Sequence, residues 1–255
     1  GHRVQASLDF AGLGGDVKYL KGVLKADKYW NLGDGFILSM KGEGGYIKGL
    51  GGDDIRLTDR FFLGDPQLRG FDIRGVGPRV LRYRADANGN INTDRDDAVD
   101  DALGGKAYYL GRVELEIPLG GAADSLGLRP SVFIDAGSVF GVKKPNLTTI
   151  DDFTIQSGPD AGAVVAQCIT GSGIVLADDN DNDDVFSCPA GTTRTVAPFT
   201  EEFLGDTWKP RVSVGIGVNW QSPFGPFRID FAQEIIKQDG DETKRFSFNV
   251  GTSFR

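Results

Sequence analysis

The sequence predicts an all-β chain, an antiparallel transmembrane β-barrel with eight strands present. Three observations predict it. Apolar and polar residues alternate with period two through eight segments. Those segments run to roughly 9–14 residues, against about 9–11 for a tilted membrane strand and nearer 5–6 for strands of soluble domains. Two of the gaps between them are far longer than the rest.

The first segment sets Val4, Ala6, Leu8 and Phe10 against Arg3, Gln5, Ser7 and Asp9. The second sets Leu20, Gly22, Leu24 and Ala26 against Lys21, Val23, Lys25 and Asp27, and the third sets Phe36, Leu38, Met40 and Gly42 against Ser39, Lys41 and Glu43. In the fourth, Tyr109, Val113, Leu115 and Ile117 oppose Arg112, Glu114 and Glu116; in the fifth, Val132, Ile134 and Ala136 oppose Arg129, Ser131 and Asp135. The sixth alternates from Val212 to Trp220. The seventh places Phe227, Ile229 and Phe231 against Arg228 and Asp230, and the eighth places Phe246, Phe248, Val250 and Phe254 against Ser247, Asn249 and Ser253.

Residues 1–255 read as one partial barrel domain with long loops at about 48–105 and 141–210. These are the third and fifth gaps, so in an up-and-down meander they share one end. Tight turns such as Ser222-Pro223-Phe224-Gly225-Pro226 occupy the other. Short periplasmic turns and long extracellular loops are the pattern of outer-membrane barrels. Aromatics near the segment ends (Tyr29, Trp30, Phe36, Tyr46, Tyr109, Phe140, Trp220, Phe227) suit interfacial girdles.

Composition narrows the function. Glycine is high at 37 of 255 residues without a three-residue period, which excludes collagen, and 17 Phe argue against disorder. The net charge of −8 is concentrated in two segments, Asp86–Asp101 and Asp178–Asp184, each carrying −5. No basic stripe points to nucleic acid. The single histidine, His2, leaves no Cys/His metal site or catalytic triad to build, so no cofactor, metal or enzymatic role is expected.

The third gap carries Leu68-Arg69-Gly70-Phe71, which resembles the (V/I)RG(F/Y) loop motif of the outer-membrane assembly and translocation superfamily, and its BamA-like branch in particular. Phe133-Ile134-Asp135-Ala136-Gly137, Trp220-Gln221-Ser222-Pro223-Phe224-Gly225-Pro226 and the stretch Gly240-Asp241-Glu242 to Phe254 match in order, along nearly all of the chain outside the acidic segments. The resemblance implies a sixteen-stranded barrel that inserts other β-barrels into the bacterial outer membrane. This chain would be its second half. It begins within a strand pattern, shows no leader at Gly1-His2-Arg3-Val4 and lacks the family's periplasmic domains. Implied partners are outer-membrane lipid, unfolded β-barrel clients and accessory lipoproteins reached through those domains. The runner-up activities are polypeptide export by a sister transporter and, from another class, a surface β-sandwich binding module.

The resemblance also assigns roles. The arginine loop folds into the lumen, where Arg69 would pair with Glu116 and Asp135, both on polar faces of neighbouring strands. An arginine fork suits bidentate carboxylate pairing. The terminal strand, with Phe246, Phe248, Val250 and Phe254, would seal weakly against the first strand and template incoming strands, with Gly251 helping it bend. Cys168 and Cys188 bracket the second acidic segment. A disulfide there would close a loop of about 20 residues, worth about 3 kcal/mol in an oxidising compartment. Asp86–Asp97 has the oxygen spacing of a calcium loop, but Ile91 stands at the glycine position and Asp97 at the bidentate Glu position, so a solvated loop is expected.

Overall fold

A computed structural model describes residues 1–12, 14, 17–52, 54–84, 91–120, 127–150, 153–154, 164–165, 167–170, 173–176, 193–194, 199–222 and 225–250. The chain divides into two compact units, residues 1–79, 102–143 and 204–255 in the first, and 80–101 with 144–203 in the second.

The first unit is built on one eight-stranded antiparallel meander: β1 (His2–Ala11), β2 (Tyr19–Gly33), β3 (Phe36–Gly49), β4 (Ala107–Glu116), β5 (Leu128–Phe140), β6 (Arg211–Ser222), β7 (Gly225–Ile236) and β8 (Phe246–Val250). Each strand pairs with its neighbours in chain order. The period-two patterns place these strands correctly because the pleat sends alternate residues to opposite faces. Among the described residues, β1 bonds only to β2 and β8 only to β7, leaving an edge at each side.

The two faces invert the arrangement of a soluble domain. One face exposes Leu8 (72%), Leu24, Met40, Ile134, Ile216, Phe231 and Phe248. The other buries Ser39, Ser131, Asp135, Ser213, Asp230 and Ser247. An apolar exterior over a polar interior is what a strand wall in lipid requires, and it argues against a β-sandwich. Trp30, Phe36, Tyr46 and Trp220 lie exposed on the apolar side, as expected of girdles. Tyr29 differs: it registers against the buried Ser39, on the polar face, because it is out of phase with Leu24 and Ala26.

Toward the long-loop end the polar face turns apolar, and the third gap packs there. Ile47, Leu110 and Val139 of the strands form one buried cluster with Ile55, Phe61, Leu63, Leu68, Phe71 and Val76. Tyr108 packs against Phe61 with the rings tilted by 45° and their centroids 4.6 Å apart. Residues 55–76 of the gap are thus folded structure on the sheet rather than a free loop.

The second unit holds a four-stranded sheet in the order Val99–Ala102, Arg79–Arg84, Phe199–Leu204, Thr149–Ile150. Arg82 joins it internally, 2.7 Å from Glu201 and over the Phe199 ring. A three-stranded sheet contains Gln167–Thr170. Cys168 on that strand is buried and disulfide-bonded, while Cys188 lies outside the described residues.

Candidate functional site

The Arg69 loop is shaped by its glycines. Gly70 adopts φ +88°, and a Cβ there would stand 2.9 Å from the Cβ of Ser213 on β6. Only glycine permits both the left-handed backbone and this approach to the wall. The loop therefore lies against the strands with Arg69 aimed at β5. The Ser213 hydroxyl donates to the Arg69 carbonyl.

Arg69 is 2% exposed and Asp135 is fully buried. The arginine Nη2 donates to Asp135 Oδ1 at 2.6 Å, Nε donates to Oδ2 at 2.7 Å, and the Arg69 backbone N–H donates to Oδ2 at 3.2 Å. The guanidinium also sits over the Phe133 ring, 3.3 Å from its centroid. Burial by itself would favour loss of the proton. The Asp135 hydrogen bonds, with the charges of Glu114 and Asp230, outweigh it and hold the guanidinium above its ordinary range, firmly charged.

The second acidic partner is Glu114, not Glu116. Arg69 Nη1 lies 3.0 Å from Glu114 Oε2. The register explains the correction. Asp135 lies opposite Arg112, Phe133 opposite Glu114 and Ser131 opposite Glu116, so Glu116 is four residues along the wall from Asp135, about 13 Å at strand rise. Glu116 lines a cavity of about 500 Å³ together with Glu114, Lys41, Arg129 and Asn219.

The pair belongs to a larger network. Arg228 bonds Glu114 at 3.0 Å, Asp230 at 2.8 Å and Asn219 at 3.0 Å. Arg112 lies 3.7 Å from Asp135 and donates to the Pro66 carbonyl. Asp230 approaches Arg69 Nη1 at 3.7 Å. Three arginines and three carboxylates therefore balance within the wall. Gly217 makes room, since a Cβ there would lie 2.3 Å from Asp230. Sequence reasoning did not assign Arg112, Glu114, Arg228 and Asp230 to the site. The available signal was charge of both signs at polar-face positions of neighbouring strands. A second pair with fully buried side chains, Arg211 with Asp241 at 2.9 Å, was also missed; Arg211 donates as well to Ser138 and to the Gly205 and Thr207 carbonyls.

The loop continues from Arg69 toward the last strand. Gly70 and Phe71 pair antiparallel with Lys244 and Thr243. The Asp72 N–H donates to the Glu242 carbonyl at 3.0 Å, and the Glu242 N–H donates to the Gly75 carbonyl at 2.8 Å. Lys244 Nζ is 3.6 Å from Asp72. The segment entering β8 is thus bonded to the motif loop. Phe246, Phe248 and Val250 are exposed on the apolar face, with Phe227 stacked on Phe248. Gly251 and Phe254 lie outside the described residues. So does part of the acidic segment, Asp86–Asn90; among the described residues no group of carboxylates, Cys or His is arranged to hold a metal.

A strand wall apolar outside and polar inside, with an arginine loop bonded to its inner face, defines a transmembrane β-barrel domain. The Omp85 superfamily domain matches residues 1–254, and the chain belongs to that superfamily. All of the chain aligns, at 28% identity, with outer membrane protein assembly factor BamA of Neorickettsia risticii over 255 residues and of Neisseria meningitidis over 262 residues. A SAM50-like protein of Schizosaccharomyces pombe aligns at 28% over 261 residues, covering 40% of that protein. A crystal structure of BamA from Haemophilus ducreyi lacking POTRA domains 1–3 superposes with a TM-score of 0.62 at 23% identity, over 97% of this chain and 37% of that one. The chain spans about a quarter of the length of the BamA relatives, 24% and 26%.

Proposed function

We propose that this chain is part of an outer-membrane assembly factor that inserts β-barrel proteins into the bacterial outer membrane, and that its eight strands form one half of a sixteen-stranded barrel. The work is templating rather than catalysis. The observation that carries the reading is β8, whose described residues have a single sheet partner, β7. Its outer edge offers N–H and C=O groups to an incoming strand, and main-chain pairing of this kind is indifferent to client sequence. The loop that carries Arg69 also bonds the segment leading into β8, which supports an anchored approach to that edge.

On this reading the loops at about 48–105 and 141–210 are extracellular, Cys168 and Cys188 pair in that oxidising space, the clients are unfolded β-barrel chains, and accessory lipoproteins act through domains outside this chain. Full-coverage alignment with assembly factors supports it. The test is photo-cross-linking from β8. With a cross-linker at Asn249 in the full-length parent, an assembling β-barrel client is expected to be captured, whereas one at Ser39 in the middle of the sheet captures none. Equal labelling from both positions, or unchanged levels of outer-membrane barrels when the parent is depleted, would overturn the reading.

A further inference from the structure

Lys18 and Lys48 lie on the apolar face of the sheet, at the long-loop end of β2 and β3. Lys48 registers against Leu20, and the Lys18 carbonyl accepts from the Leu50 N–H at 2.8 Å, so both lysines are in phase with Leu20, Gly22 and Tyr46. Both are exposed, and neither forms an ion pair among the described residues. Lys28, in the same phase at the turn end, differs: its ammonium sits over the Trp30 ring, 5.6 Å from the centroid.

Beside the lysine pair runs an apolar groove of about 750 Å³, lined by Gly22, Leu24, Ala26, Gly42, Gly44 and Tyr46. A Cβ added at Gly42 would meet nothing within 4 Å. The floor is paired backbone: Gly22 with Tyr46, Leu24 with Gly44, Ala26 with Gly42. Its N–H and C=O groups are spent within the sheet, so a peptide laid in the groove would leave its own backbone unsatisfied in hydrocarbon. A flexible hydrocarbon chain has no such groups.

We propose that this groove holds an acyl chain of an anionic lipid whose headgroup phosphate is bound by Lys18 and Lys48. The proposal rests on the membrane reading above and adds a defined site and a headgroup charge to it. Two long ammonium side chains at the boundary, without an ion pair among the described residues, reach toward the headgroup layer while their stems stay on apolar surface. A headgroup with net negative charge complements them, and a zwitterionic one carries no net charge to do so.

The test uses the full-length parent refolded into phosphatidylcholine vesicles containing phosphatidylglycerol, then extracted and weighed with its retained lipid by native mass spectrometry. Phosphatidylglycerol is expected to be retained preferentially. Lys18→Ala with Lys48→Ala should reduce that preference by about 30-fold, from two lysines at about 1 kcal/mol each. Gly42→Leu, which fills the groove, should lower retention of both lipids, and Lys28→Ala should leave the preference within about twofold. A double lysine variant that inserts and keeps its preference, or a Lys28→Ala variant that loses it equally, overturns the proposal. Insertion is read separately by heat-modifiable mobility. A wild-type chain that fails to insert overturns the membrane reading as well, whereas one that inserts without lipid preference overturns this proposal alone.

Discussion

Arg69 and Asp135 are joined by three hydrogen bonds, two from the guanidinium and one from the arginine's own backbone N–H. One carboxylate therefore fixes both the side chain and the main chain of the motif loop. Because both residues are buried, truncating either leaves a charge without its partner. Arg69→Ala and Asp135→Asn should each destabilise by about 3–5 kcal/mol in urea unfolding of the refolded full-length parent. The double variant should cost clearly less than the sum. Additive effects would mean that the two residues act independently.

Glu114 and Glu116 stand two residues apart on the same face, and only the first touches Arg69 and Arg228. Glu114→Gln should lose charge-assisted bonds to two buried arginines and cost about 2–3 kcal/mol. Glu116→Gln should stay within about 0.5 kcal/mol. The same unfolding measurement separates them, and equal costs would contradict the register described here.

Gly70→Ala meets two penalties, a φ of +88° and a clash with Ser213. A loss of about 1–3 kcal/mol is expected. Adding Ser213→Gly removes the nearest clash but leaves the backbone strain and the Ala232 contact and deletes the Ser213 bond to the Arg69 carbonyl, so rescue should be partial. Full rescue would show that the backbone conformation contributes nothing.

Two carboxylates make opposite contributions with pH. Burial raises the Asp65 carboxyl above its usual range, and the Lys244 charge only partly offsets this. The folded state then favours protonated Asp65, so its contribution is most favourable below the ordinary carboxylate pKa and is lost as pH rises through the raised value. Asp65→Asn should therefore match wild type in acid and equal or exceed it in stability at neutral pH. Glu201 is held low by the Thr148 N–H and then by Arg82. Its contribution is present above the ordinary carboxylate pKa and fades as pH falls through the lowered value, and Glu201→Gln should flatten that acid limb. Unfolding midpoints across pH 3–8 check both; a wild-type advantage over Asp65→Asn that grows toward neutral pH would reverse the first assignment.

The sheet was legible because alternation is a local property. Val4 to Phe10 or Phe227 to Phe231 announces a strand whatever its neighbours are, and all eight segments found their places in one meander. Arg69 and Asp135 were legible through the resemblance of Leu68-Arg69-Gly70-Phe71 to a family loop motif, with alternation placing Asp135 on the polar face. The choice between Glu114 and Glu116 was not, because both satisfy the same alternation and only the inter-strand register ranks them. Arg211 and Asp241, 30 residues apart, carry no mutual signal in the chain at all.

By itself, then, the amino-acid order determined the strand faces, the apolar exterior and the residues free to carry charge inside, since each depends on spacing along one strand. Tertiary structure alone decided which charges meet, that the motif loop packs as a core on the sheet, and that it bonds to the segment entering β8. Those outcomes depend on register and on loop closure, and both are fixed by contacts between residues remote in sequence, with no period along the chain to record them.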